Sequence, residues 1–282
     1  MKIQQFKKYF FSELSDHYPK TEIQSFFNLL VEYQLNLSRA EVILQTSLEI
    51  KEFDLSFLQH SLSKLKSHIP IQYILGKTEF YGMDFNVNKH VLIPRPETEE
   101  LVDWIVNDFQ ENRNIKILDI GTGSGCIAIS IAKNLPNAEV FAIDVSTEAL
   151  QVAQKNMSLN NVDIHFIKAD ILFLNKLPYS FDIIVSNPPY VREIEKEKMQ
   201  KNVFENEPHL ALFVKDNNPL IFYDRISDLA KNQLTKNGIL YFEINQYLGE
   251  KTAALLKAKG FKNIELKKDF FNNVRMIRAR IH

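Results

Sequence analysis

The sequence predicts an α/β protein in two parts. A small N-terminal helical bundle comes first, then a doubly wound, mostly parallel sheet with an antiparallel hairpin at one edge. Three observations predict it. The first 70 residues hold no glycine and repeat apolar positions at helical spacing. From Ile115 onward, short apolar runs alternate with helix-length stretches, as buried parallel strands and their crossover helices do. The last two such runs have no helix-length insert between them, as an antiparallel pair allows.

The N-terminus, Met1-Lys2-Ile3-Gln4-Gln5, leads into an amphipathic run with Lys7, Lys8 and Glu13 rather than the apolar core of a signal peptide. Thr21 and Gln24 read as a capping box for a helix whose stripe is Ile23, Phe26, Phe27, Leu30 and Tyr33. Ser38 with Glu41 repeats the signal for a short helix through Val42 and Leu44. Asp54 caps a third helix, in which Leu55, Leu58, Leu62 and Leu65 step by three and four until Pro70 stops it. Residues 1–70 are therefore expected to be the helical domain. Between Ile71 and Ile93, the segments Gln72 to Leu75, Phe80-Tyr81 and Asp84 to Val87 are punctuated by Gly76 and Gly82. They predict a β-hairpin linker over 71–94, with 95–282 as the sheet domain. Its strands are expected at Ile115 to Ile120, Val140 to Ile143, Ile164 to Ile167, Asp182 to Val185 and Ile239 to Ile244. The edge pair is expected at Ile264 to Lys268 and Val274 to Ile281.

Composition narrows the function. Lys and Arg number 34 against 35 Asp and Glu, a balance that argues against a dedicated nucleic-acid binder, although a local patch can hide inside a neutral total. No stretch approaches the ~20 apolar residues of a membrane span. Cys126 is the single cysteine, so no intramolecular disulfide forms and a reducing, cytoplasmic compartment is expected. His17, His60, His68, His90, His165, His209 and His282 show no pair at metal-ligand spacing, and no metal site is expected.

Ile117-Leu118-Asp119-Ile120-Gly121-Thr122-Gly123-Ser124-Gly125 places a glycine loop between a strand and the apolar helix beginning at Cys126. Glycines there let the backbone turn sharply and approach a ligand. The spacing differs from the dinucleotide fingerprint and no P-loop lysine follows, which weakens pyrophosphate, triphosphate and dehydrogenase readings. Asp144 ends the next strand, where a carboxylate can accept from both ribose hydroxyls; its alternative role is to cap the helix starting near Ser146. Together they indicate an adenosine-type ligand. Asp170 could accept from the adenine amino group, with Ile171 on the ring face.

Val185-Ser186-Asn187-Pro188-Pro189-Tyr190 closes the fourth strand. A planar amino group is a poor nucleophile because its lone pair is delocalised. An Asn carbonyl and a backbone carbonyl freed by the proline-fixed turn can accept its two N–H hydrogens and aim the nitrogen at an electrophile. Tyr190 can stack on the planar group. No strong base is required, since the proton can leave once the nitrogen carries positive charge.

With these residues the chain resembles the HemK/PrmC-type protein-(glutamine-N5) methyltransferases. The likeness extends to Pro70-Ile71-Gln72-Tyr73-Ile74-Leu75-Gly76, Phe80-Tyr81-Gly82, Leu92-Ile93-Pro94-Arg95-Pro96-Glu97-Thr98-Glu99 and Glu205-Asn206-Glu207-Pro208. The resemblance implies a Rossmann-like class I methyltransferase sheet and S-adenosylmethionine as cofactor. It implies a class 1 peptide chain release factor as partner, methylated on the glutamine of its Gly-Gly-Gln motif. By this resemblance Gly121, Thr122, Gly123, Ser124, Gly125 and Asp144 hold the cofactor; Asp170 and Ile171, from their place after the next strand, and Asn187 are expected to join them. Asn187, Pro188, Pro189 and Tyr190 hold the glutamine, with Asn187, Pro188 and Tyr190 as the catalytic set. Pro94 to Glu99 would lie beside the site. Two departures stand out: Phe213-Val214-Lys215-Asp216-Asn217-Asn218 replaces a glycine-containing stretch, and Asn272 stands where glycine is common. Asn tolerates positive φ, so that turn is expected to survive. A methyltransferase acting on adenine or guanine of DNA or RNA, or a non-catalytic cofactor-binding module, could carry the same loop.

Overall fold

The computed structural model describes residues 1–44, 48–109, 114–198 and 201–281. The chain forms two compact units, Met1–Gly76 with Gln200–Asn206, and Lys77–Met199 with Glu207–His282.

The first unit opens with α1 (Ile3–Leu14), α2 (Lys20–Leu35), α3 (Arg39–Leu44), α4 (Glu52–Lys66) and α5 (Ile71–Leu75). Ile3, Phe6, Phe10 and Leu14 make one buried face of α1, against Phe27 and Leu30 of α2 and Leu58, Leu62 and Leu65 of α4. Phe10 and Phe27 meet edge to face at 5.7 Å, an arrangement the aromatic quadrupole favours. Local details differ from the sequence reading. Pro19, not Thr21, is the N-cap of α2, and Gln24 donates to Asn28 Oδ1 instead of closing a capping box. Val31 takes the buried place expected for Tyr33, which is 45% exposed and stacks on Phe57 at 5.7 Å. The Ser38–Glu41 box forms, with Ser38 N donating to Glu41 Oε2 at 2.8 Å. Asp54 lies inside the first turn of α4 and accepts from Gln34 Nε2 at 2.8 Å. Gln72 to Leu75 is a helical turn and not a strand. Pro70 presets its entry, Tyr73 N and Ile74 N donate to Pro70 O, and left-handed Gly76 ends it.

The second unit begins with a hairpin of β1 (Lys77–Phe80) and β2 (Met83–Asn86). Its turn residues Tyr81 and Gly82 are both left-handed, with φ of 50° and 70°, the geometry that matches strand twist in a two-residue turn. Then come α6 (Pro96–Asp108), β3 (Lys116–Ile120), α7 (Cys126–Asn134), β4 (Glu139–Asp144), α8 (Thr147–Asn160), β5 (His165–Lys168), β6 (Phe181–Ser186) and β7 (Val191–Arg192). A 3-10 turn over Glu193–Lys198 precedes α9 (Lys201–Asn206), which belongs to the first unit. The chain finishes with α10 (His209–Leu212), β8 (Phe213–Val214), α11 (Ile221–Gln233), β9 (Leu234–Glu243), α12 (Gly249–Ala258), β10 (Lys262–Lys268) and β11 (Val274–Arg280).

The seven-stranded sheet has the order β10-β11-β9-β6-β3-β4-β5. The strands from β9 to β5 are parallel, and β11 and β10 add the expected antiparallel edge. β9 starts five residues earlier than its apolar run, because Leu234 pairs with Phe181 across a bulge through a polar stretch that carries no pattern. Alternate residues face opposite layers. Ile117, Ile183 and Tyr241 pack with α6 and α7, whereas Leu118, Ile184 and Phe242 pack with α11 and α12. Phe80 and Phe85 join the first layer. Buried Asn156 of α8 ties the hairpin to the glycine loop. Its Nδ2 donates to Asn86 O and Ser124 O, both at 2.9 Å, and its Oδ1 accepts from Asn86 N at 2.6 Å. Among the described residues, no helix is long and apolar enough to cross a membrane, and no group of three His, Cys, Asp or Glu could hold a metal ion.

Candidate active site at the carboxyl edge of the sheet

From β3 the chain steps outward through β4 and β5, then returns to β6 on the other side of β3. Such a reversal leaves a crevice at the carboxyl ends of the strands. A cavity of about 270 Å³ opens there, lined among others by Gly121, Gly123, Asp144, Asp170, Ile171, Asn187, Pro188 and Pro189.

The glycine loop is held by backbone bonds. Gly121 N and Thr122 N donate to Ile143 O, at 2.8 and 3.0 Å, and Gly125 N donates to Thr122 O at 2.8 Å. Gly121 and Gly123 have φ of +75° and +54°, and a Cβ on either would meet nothing within 4 Å. Their glycines are set by handedness, and the space beside them is open to a ligand. Gly125 differs: a Cβ there would stand 2.9 Å from Ile129 Cδ1 and 3.2 Å from Ala153 Cβ, so it lets α7 and α8 approach. Thr122 donates to Asp119 Oδ2 at 2.7 Å, and Ser124 is buried. Thr122, Ser124 and Gly125 thus shape the loop without lining the cavity.

Asp144 does not cap α8, whose N-cap is Ser146; its carboxylate instead accepts from backbone on both sides. Its Oδ2 accepts from Gly123 N and its Oδ1 from Ser146 N, each at 2.9 Å, while Ser146 Oγ caps α8 by accepting from Ala149 N. Burial pushes the Asp144 carboxyl up, against these backbone donors. Each oxygen retains acceptor capacity for a ligand hydroxyl. Asp170 Oδ1 accepts from Leu172 N at 2.9 Å.

Asn187 begins the loop after β6, whose last residue, Ser186, donates to Ile120 O at 2.6 Å and so ties the two strand ends together. The Asn187 amide Nδ2 donates to Thr98 Oγ1 at 3.2 Å. Thr98 Oγ1 donates in turn to Glu243 Oε2 at 2.5 Å, and Tyr190 Oη to Glu243 Oε1 at 2.9 Å. Thr98 and Glu243 are only 2% and 1% exposed. Burial pushes the Glu243 carboxyl up, opposed by these two hydroxyls and by Arg275. Tyr190 is tethered to Glu243 and does not line the cavity; burial, then Glu243, raises its phenol. Asn245 Nδ2 donates to Tyr190 O and to Glu195 Oε2, both at 3.1 Å.

Motif residues close around this network. Glu207 accepts from Ile93 N and pairs with Arg95 at 2.6 Å. Phe213–Val214, where the chain departs from the family pattern, forms β8 beside β7, and Asp216 Oδ1 accepts from Ile194 N. Asn272 keeps the expected left-handed turn at φ 66°, its N–H donating to Asp269 O at 2.8 Å. Sequence reasoning did not single out Glu243, Asn245 or Asn156. A signal for Glu243 existed, since it is an acid inside the apolar run Tyr241-Phe242-Glu243-Ile244.

Fold and site define the class first. Residues 101–211 match the family model described as Methyltransferase small domain. The T. thermophilus 16S rRNA N2 G1207 methyltransferase, solved with AdoMet and guanosine, shares the fold at a TM-score of 0.52 and 19% identity, over 73% of this chain and 50% of that one. Residues 7–76 match the PrmC N-terminal domain. The release factor glutamine methyltransferase of Flavobacterium psychrophilum is 54% identical over 282 residues, 99% of each chain. That of Bacteroides thetaiotaomicron is 42% identical over 272 residues, 96% of this chain and 97% of the relative. The chain belongs to the release factor glutamine methyltransferase family.

Proposed function

We propose that this protein methylates the side-chain amide nitrogen of the glutamine in the Gly-Gly-Gln motif of class 1 peptide chain release factors. S-adenosylmethionine is the donor, and the cytoplasm is the place of action. The observation that carries the reading is that the glycine loop, Asp144 and Asn187 share one cavity. The loop suits the cofactor because a side chain is absent where Gly121 and Gly123 face open space. Gly121, Gly123 and Asp144 would hold its ribose and methionine end, and Asp170 and Ile171 its base. Bound there, S-adenosylmethionine supplies a methyl group on a cationic sulfur.

The protein's own part is alignment. Asn187 Oδ1 and a carbonyl of the Pro188 turn accept the two hydrogens of the substrate amide, turning the nitrogen toward the donor. Tyr190, tied to Glu243, steadies the loop that carries Asn187 and Pro188. Alignment of this kind can supply roughly 7–11 kcal/mol in favourable intramolecular cases. The helical domain, 1–70, serves to recognise the release factor, and 71–94 links it to the catalytic part.

The test is mass spectrometry of a purified release factor after incubation with enzyme and S-adenosylmethionine. One added methyl on the Gly-Gly-Gln peptide is expected. An unmodified peptide, with label transferred to nucleic acid in its place, would overturn the reading.

A further inference from the structure

We propose that Thr98 and Glu243 are positioning residues that dictate which way round the Asn187 amide sits. The inference rests on the reading of Asn187 as an acceptor for the substrate amide, and adds what makes it one.

The argument is a count of protons. A hydroxyl has one hydrogen to donate and lone pairs to accept with. Thr98 gives its hydrogen to Glu243 Oε2 at 2.5 Å, so toward Asn187 it can only accept. The group that meets it at 3.2 Å must therefore be the Asn187 NH2. The Asn187 Oδ1 is turned away from Thr98 and, among the described residues, left free for a donor. Held ionised by its two hydroxyl donors and by Arg275, which oppose burial, Glu243 fixes this direction because it has no hydrogen of its own to offer. Tyr190 Oη fills the other carboxylate oxygen at 2.9 Å, so Glu243 commits both of its oxygens to hydroxyl donors. Thr98 and Glu243 are nearly inaccessible, and water cannot readily substitute for either partner. Rotated half a turn, the Asn187 amide would present N–H to the substrate N–H, and the nitrogen would be repelled rather than gripped.

Glu243→Gln keeps the shape but introduces a donor. Its NH2 can donate to Thr98, which frees the hydroxyl hydrogen to point at Asn187 and permits the rotated amide. Thr98→Val removes the hydroxyl at nearly constant volume, and Thr98→Ser retains it. In methylation of a release factor, Thr98→Val and Glu243→Gln should each lower kcat by about 10–100-fold, the range spanned by lost polar contacts and a lost oriented donor or acceptor. Cofactor Kd should move less than about threefold, and Thr98→Ser should restore activity to within about threefold of the parent.

The decisive measurement is the double variant Asn187→Ala/Thr98→Val. If Thr98 acts through Asn187, the double variant is no slower than Asn187→Ala alone. A further drop on adding Thr98→Val would show an independent structural role and overturn the proposal. So would a Thr98→Val enzyme with parental kcat. An inactive parent enzyme would instead count against the glutamine reading itself, which keeps the two failures apart.

Discussion

The glycine loop and the Asn187 loop face the same cavity but are held in place by opposite means. The first is fixed by its own backbone and the neighbouring strand, through Gly121 N to Ile143 O and Gly125 N to Thr122 O. The second is fixed by side chains far away in the chain: Thr98 lies 89 residues from Asn187, Glu243 lies 145 from Thr98 and 53 from Tyr190. The ligand cradle is thus set mainly by backbone conformation, with the Asp144 and Asn156 side chains bonded to its backbone. A directed acceptor needs a buried polar network that only the complete fold assembles.

The comparison makes Asn187→Ala the variant of largest effect on rate. It should slow release-factor methylation by about a hundredfold or more, by analogy with removing one preorganised polar group, while calorimetry shows cofactor binding largely retained. Loss of binding in parallel would mean that the two loops are not separable. Asp144→Ala should do the reverse. Losing hydrogen bonds to a charged group, worth about 1.5–3 kcal/mol, should weaken cofactor Kd by about 10–150-fold and leave kcat at saturating cofactor much closer to the parent.

Within the glycine loop, two substitutions separate folding from binding. Gly125→Ala would place its methyl 2.9 Å from the Ile129 side-chain end and 3.2 Å from Ala153, and should cost about 1–3 kcal/mol of stability from overpacking beyond the left-handed penalty. Gly121→Ala carries only the handedness cost of about 1–2 kcal/mol, but its methyl group enters ligand space, so its titration with cofactor should suffer more than its thermal melt. Equal losses in both assays at both positions would erase the distinction.

A pH dependence lies behind the loop. Burial pushes the Asp119 carboxyl up to about 7, and its Oδ1 has no hydrogen-bond partner among the described residues. Folding therefore favours the protonated form. That contribution is complete below the ordinary carboxylate range and disappears as the pH climbs through 7. Asp119→Asn is neutral throughout, so its melting temperature relative to the parent should rise between pH 5 and pH 8. A difference that falls over this interval would mean that the fold prefers the ionised carboxylate.

Legibility in the sequence follows the same division. The glycine loop, Asp144, the parallel strands and the edge pair were readable because their causes are local: handedness at glycine, alternation of apolar runs, the reach of a strand end. Asn187 to Tyr190 was readable as a motif, but what orients it was not, since Thr98 and Glu243 become neighbours of that motif only after the sheet closes. Local reading also erred where local signals compete. Thr21 resembles a cap, yet Pro19 starts the helix, and Gln72 to Leu75 is apolar enough for a strand but too close to Pro70 to leave the helical turn it begins.

Asn156 makes two stretches of chain behave as one body. Its single amide closes bonds to the backbone of the β1–β2 hairpin at Asn86 and of the glycine loop at Ser124, so neither can lift away without stranding a buried donor or acceptor in the other. Deuterium uptake at the Asn86 and Gly125 backbone amides would then share one opening event with one temperature dependence. The hairpin, none of whose residues lines the cavity, becomes a remote reporter of whether the cradle is intact.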